Sequence, residues 1–83
     1  MEYNWIRNKA CKVDGVKHTI SHRMKRDKWD KENFTTVIVK NHPTDPETIC
    51  SFDSESSAEM YEKTEIKLTE LAKDNYEIGD YID

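Results

Sequence analysis

Cys11, His18, His22 and Cys50 are the side chains of this 83-residue chain best suited to hold a metal ion or to act as nucleophile and base. Zinc accepts sets of two cysteines and two histidines, but its structural sites usually carry close ligand pairs such as C-x2-C. That pair is absent here, and side chains two positions apart along a strand sit about 7 Å from each other. The sequence therefore predicts no metal site. The histidines read as ordinary strand residues and the cysteines as free thiols of a reducing compartment. A Cys11–Cys50 bridge is the alternative that sequence leaves open. Catalysis has little to stand on. Gly15 and Gly79 are the only glycines, so no phosphate-cradling loop can form, and HExxH, GxSxG and CxxC are all missing. A chain this short also leaves little room for a pocket of several hundred Å³. No enzymatic activity and no cofactor are expected.

Two charged stretches carry the remaining chemistry. The first runs from His22 to Lys31 and contains Arg23, Lys25, Arg26, Lys28 and one aromatic, Trp29. Cations of this kind meet phosphates, and an aromatic ring stacks on a base. Asp27, Asp30 and Glu32 interleave, however, and the net charge of the chain is −4. Domains that bind nucleic acid are usually clearly basic. The second stretch is acidic: Glu55, Glu59, Glu62 and Glu70, followed by Asp74, Glu77, Asp80 and Asp83. Spaced carboxylates can occupy a basic groove and block it. The spacings Glu59/Lys63 and Glu70/Lys73 equally fit a solvated helix laced with ion pairs. The charge is divided along the chain: ten bases oppose seven acids through Cys50, and three bases oppose ten acids from Ser51 onward. Two halves that attract within one fold account for this division; two opposed faces and head-to-tail self-association, as in a homodimer, are the other arrangements it permits.

The elements that position these residues follow from turn chemistry and periodicity. Asp14-Gly15 is a preferred type I′ hairpin turn, because both positions need positive φ. It predicts a hairpin pairing Val13 with Val16, Cys11 with His18, Lys9 with Ile20, Arg7 with His22 and Trp5 with Met24. Val16, His18, Ile20, His22 and Met24 then share one face, and Lys17, Thr19, Ser21 and Arg23 the other. Lys25 to Asn33 reads as a charged connector, either a short helix or a loop. Phe34 to Lys40 is rich in β formers. Asn41 to Glu47, with both prolines, is loop chemistry, and Thr48 to Phe52 completes a second hairpin. Ser56 and Glu59 form a capping-box pattern that opens a helix from about Ser56 to Lys73. Its stripe places Ala58, Tyr61, Leu68, Leu71 and Ala72 on one side and Ile66 on the other. Asn75 to Asp83 reads as a docked extension or a loose acidic tail.

The prediction is a single small α+β domain over residues 1–83, with an antiparallel sheet of two hairpins and about four strands. One C-terminal helix packs on one of its faces. No apolar h-region follows the N-terminus, and no apolar run approaches the roughly 18 residues of a membrane span. A cytoplasmic chain with no membrane partner is expected. The functional expectation is a small protein-binding module, an inhibitor or regulator that occupies a partner surface. Its contacts are sought at Trp29, since Trp is enriched at binding hot spots, at Ile66, and at Glu59, Glu62 and Glu70. A phage or mobile-element source fits such a chain. The competing expectation is a nucleic-acid-binding protein using His22 to Lys31, with Arg23, Lys25 and Arg26 as phosphate contacts.

Overall fold

The computed structural model describes residues 4–41 and 44–82, with the backbone alone for 80–82; His42 and Pro43 of the predicted loop and Asp83 of the tail lie outside them. Asp14 (φ 52°) and Gly15 (φ 80°) adopt the left-handed conformation that the type I′ turn demands. They join β1 (Trp5–Val13) to β2 (Val16–Arg26). The pairing is the predicted one throughout, from Val13 opposite Val16 to Trp5 opposite Met24. His18, Ile20, His22 and Met24 are buried on one face, while Val16 at the turn is exposed.

The predicted connector is shorter than its charge suggests. Lys25 and Arg26 end β2, and β3 (Glu32–Lys40) begins directly after a tight turn. Asp27 builds that turn. Its carboxylate accepts the backbone N–H of Trp29 at 2.9 Å and of Lys31 at 3.0 Å, and these bonds hold its pKa below the ordinary carboxylate value. Asp30 sits at φ 62°, a conformation that a short polar side chain tolerates. Local side-chain to backbone bonding of this kind competes with helix formation, so the stretch closes as a hairpin.

β4 (Glu47–Ser54) pairs antiparallel with β3, with Ile49 left over as a bulge between the Val39–Thr48 and Ile38–Cys50 pairs. The chain then enters α1 (Ser57–Leu71) through the predicted cap: the Ser56 hydroxyl accepts the N–H of Glu59 at 3.2 Å. The Glu59 carboxylate reaches the N–H of Glu55 rather than that of Ser56. The buried stripe of the helix differs from the predicted one. Met60, Thr64 and Leu68 are buried, whereas Ala58 and Tyr61 are exposed. The apolar pattern misses this because Thr64 is polar; its hydroxyl donates to the carbonyl of Met60 at 2.8 Å and is thereby satisfied inside the helix.

The helix is not the last element. Tyr76–Ile82 forms β5, antiparallel to β1, so of the two expectations for this stretch the docked extension holds, as an edge strand of a five-stranded sheet in the order β4-β3-β2-β1-β5. α1 crosses one face of this sheet and packs over β3 and β4. The core beneath it has two apolar clusters. Cys11, Val13, Ile20, Ile38 and Leu68 form one; Met24, Phe34 and Met60, with Trp5 packed on them, form the other. Between them runs a polar band. His22 of β2 lies opposite Thr36 of β3, and Thr64 of α1 falls between Met60 and Leu68. All three are buried.

Candidate functional site

Because α1 lies over β3 and β4, the same face of the sheet is left open beside Lys9 of β1 and along β5. The gap is a groove of about 450 Å³ lined by Lys9 of β1, Ile20 and His22 of β2, Tyr61, Thr64 and Glu65 of α1, and Tyr76 and Ile78 of β5. Its size exceeds what the chain length suggested, since it sits at the open side of the fold rather than inside the core. Each wall follows from a local rule. Period-two alternation in β2 sends Ile20 and His22 to the helix side. Tyr61 stands one position beyond buried Met60, on the flank of the helix that faces β1. Ile78 lies opposite buried Cys11 in the β1–β5 register, which puts its side chain on the helix side as well. Tyr61 (44% exposed) and Ile78 (45% exposed) offer the accessible apolar surface.

The floor of the groove is the polar band. The His22 imidazole is 2% exposed, and its Nδ1 is hydrogen-bonded to the Thr36 hydroxyl at 2.9 Å. Its ring meets Tyr61 edge to face, with centroids 5.5 Å apart. The Lys9 ammonium lies 5.6 Å from the centroid of the same Tyr61 ring, within cation–π range. Burial, with the Lys9 charge adding to it, drives the His22 pKa from 6.5 down to about 4. At neutral pH the imidazole is therefore an uncharged hydrogen-bonding group. The groove thus presents aromatic and aliphatic walls, a neutral polar floor, and opposite charges at its mouth in Lys9 and Glu65.

The other candidate residues are scattered by the strand geometry. His22 and Met24 point under the helix, so Arg23 and Lys25 emerge on the opposite face of the sheet. The contiguous basic stretch of the sequence is thereby split in two. Arg26 pairs with Asp30 at 3.2 Å. Trp29 stands at the tip of the β2–β3 turn, 76% exposed, with the Lys28 ammonium 4.4 Å above its ring. Glu59, Glu62, Ile66 and Glu70 share the outer face of α1. Glu59 is paired with Lys63 at 2.9 Å, and Glu70 with Lys67 at 3.5 Å rather than with Lys73. Ile66 is 49% exposed among them.

Among the described residues no three His, Cys, Asp or Glu side chains gather as metal ligands. His18 Nδ1 is 2.8 Å from the carbonyl of Val16, so that nitrogen carries the proton. Both cysteines are free thiols. They stand on strands β1 and β4, three strand spacings or about 14 Å apart, too far for a disulfide. Burial raises both thiol pKa values, which suppresses thiolate chemistry. Among the described residues no helix is long and apolar enough to cross a membrane. No family model, curated protein or solved structure matches the chain.

The groove itself was missed by sequence reasoning. The signal for it in the sequence is the apolar alternation Tyr76, Ile78 within the acidic C-terminal stretch; the place of Tyr61 off the buried stripe is evident only from the structure.

Proposed function

We propose that this protein is a small protein-binding module whose working surface is the groove between α1 and β5, and that it regulates its partner by occupying the partner's surface. The observation that carries this reading is the exposure of Tyr61 and Ile78 side by side on a concave, mostly apolar site. Exposed aromatic side chains with a polar handle anchor protein interfaces. Neither wall is needed to fill the core, because Met60, Leu68, Ile20 and Ile38 already do so. A nucleic-acid role is less well supported, since strand alternation divides the basic stretch between two faces and Arg26 spends its charge on Asp30. An acidic decoy along α1 is weakened in the same way by the Lys63 and Lys67 pairs.

The test is a capture experiment from source-cell lysate, run with and without nuclease, comparing wild type, the groove variant Tyr61→Lys/Ile78→Lys and the turn variant Trp29→Ala. A stoichiometric protein held by wild type and by Trp29→Ala, and lost by the groove variant, is the expected result. Retention by the groove variant refutes the groove, and material that vanishes with nuclease restores the basic stretch as the working surface.

A further inference from the structure

We infer that the free edge of β5 accepts an extended, basic segment of the partner as a sixth strand, which completes the groove. The inference rests on the groove being a protein-docking site and names the form its occupant takes.

The backbone supplies the first argument. The N–H of Asp14 donates to the carbonyl of Asn75 at 2.9 Å. In an antiparallel ladder, hydrogen-bonded pairs alternate with pairs whose main-chain groups point away from each other. With Lys12 opposite Glu77 and Val13 opposite Tyr76, Glu77 turns its N–H and C=O toward β1, and Tyr76 and Ile78 turn theirs outward. Since β5 is at the end of the strand order, these outward groups form a pairing edge of the kind that extended peptides use. At the other edge, β4, the cavity beside α1 is lined by Asp53, Ser54, Glu55, Glu59 and Lys63, so a strand added there would meet a charged surface in place of the apolar walls of Tyr61 and Ile78.

Side-chain alternation supplies the second. On β5, Tyr76 and Ile78 face the groove, and Glu77 faces the other side of the sheet. An added strand would lay alternate apolar side chains beside Tyr76, Ile78 and Tyr61, and its intervening side chains beside Glu77. The inner neighbour of β5 already has this pattern: β1 sets Val13 and Cys11 opposite Tyr76 and Ile78, and Lys12 opposite Glu77.

Charge selects the occupant. Residues 74–83 contain four acids and no lysine or arginine. Pairing β5 with the β5 of a second copy would bring eight acids together, and like charges on neighbouring strands are destabilising. A basic strand is favoured by the same rule.

The probe is the capped peptide Lys-Val-Lys-Val-Lys-Val-Lys, titrated into the isotope-labelled full chain and followed by amide chemical shifts and hydrogen exchange. Binding should slow exchange at Tyr76 and Ile78, leave Glu77 as it was, and weaken as salt is added. The Glu-Val counterpart should bind about tenfold more weakly, and Glu77→Lys should narrow or invert that preference. A Lys-Val peptide N-methylated at every residue keeps its side chains but has no N–H to donate to the ladder from either edge, and should not bind. Equal binding of the methylated peptide would overturn strand addition and leave the groove standing as a side-chain site. Protection on β4 instead of β5, absence of binding by the Lys-Val peptide, or a β5-mediated homodimer would each overturn it. The capture experiment with the Tyr61 and Ile78 variant judges the groove separately.

Discussion

The carboxylate of Asp14 accepts the backbone N–H of Asp74 at 2.7 Å, across 60 residues of chain. The same side chain accepts the N–H of Lys73 at 2.9 Å and of Asn75 at 3.2 Å. One residue thus does two jobs. Its backbone forms the left-handed turn of the first hairpin, and its carboxylate gathers the amides that leave α1 and enter β5. Those bonds hold the Asp14 pKa below its ordinary value.

Asp14→Asn keeps a residue that tolerates the turn while removing the negative charge and one acceptor oxygen. It should lower the thermal midpoint and speed hydrogen exchange at Lys73, Asp74 and Asn75 before any amide of β2 or β3. Because the folded pKa is depressed, the wild-type contribution is present above the unfolded carboxylate value of about 3.9 and is lost as pH falls through the lower folded value. Unchanged exchange at those three amides in the variant would show that the clamp carries no stability.

His22 makes stability sensitive to pH over a higher range. Its folded pKa of about 4 lies below the ordinary histidine value of 6.5, so the fold prefers the neutral ring. That preference is fully present above pH 6.5 and drains away as pH falls toward 4. The total is on the order of 3 kcal/mol. Urea titrations from pH 7 to 4 should show the decline, and His22→Gln should flatten it between 6.5 and about 4.5. An imidazole that titrates near 6.5 by NMR would contradict the burial argument.

Thr36→Val tests the polar band directly. It preserves shape but leaves the His22 Nδ1 without the hydroxyl now 2.9 Å away, at a cost of about 1–3 kcal/mol. A neutral result by chemical denaturation would mean that water replaces the hydroxyl from the groove side.

Helix positions separate core from surface. Met60→Ala and Leu68→Ala each empty a fully buried site and should cost about 2–5 kcal/mol. Ile66→Ala and Trp29→Ala, both on exposed side chains, should stay within about 0.5 kcal/mol. Equal losses at Ile66 and Leu68 in denaturant midpoints would place the helix stripe wrongly.

Much of the fold can be read from the residues because its rules are local. Asp14-Gly15 specifies a turn, and the turn sets the register of every pair from Val13–Val16 to Trp5–Met24. Ser56 and Glu59 mark where the helix starts. What escapes the sequence is non-local. β5 looks like a tail because Glu77, Gly79 and Asp80 break up Tyr76, Ile78, Tyr81 and Ile82 without a sustained period of two, and its strand character comes from pairing with β1. Lys25, Arg26 and Glu32 look like linker because they are charged, yet they are strand ends whose side chains reach solvent. Thr64 hides the helix stripe by being polar and buried together. The groove inherits all of these difficulties, since it exists only where α1, β1 and β5 are brought side by side. Of the residues chosen for their type only His22, at the start of the basic stretch, lies in it, and its walls come from Lys9, Tyr61, Tyr76 and Ile78.

The position of β5 also has a kinetic meaning. Strands β1 to β4 form a meander in which each pairing closes a short loop, whereas Val13 and Tyr76 meet only after the intervening 62 residues are looped out. Loop closure of that length costs entropy that the short hairpins avoid, so β5 should dock last, once the meander and helix offer it a surface. An edge strand with Tyr76 half-buried and Glu77, Ile78 and Gly79 exposed is also of the kind that opens at low free energy. Each brief departure of β5 would bare the β1 edge and dismantle one wall of the groove at the same moment. Site and fold therefore breathe together, and a strand bound alongside β5 slows that opening by giving the last-formed element a second neighbour.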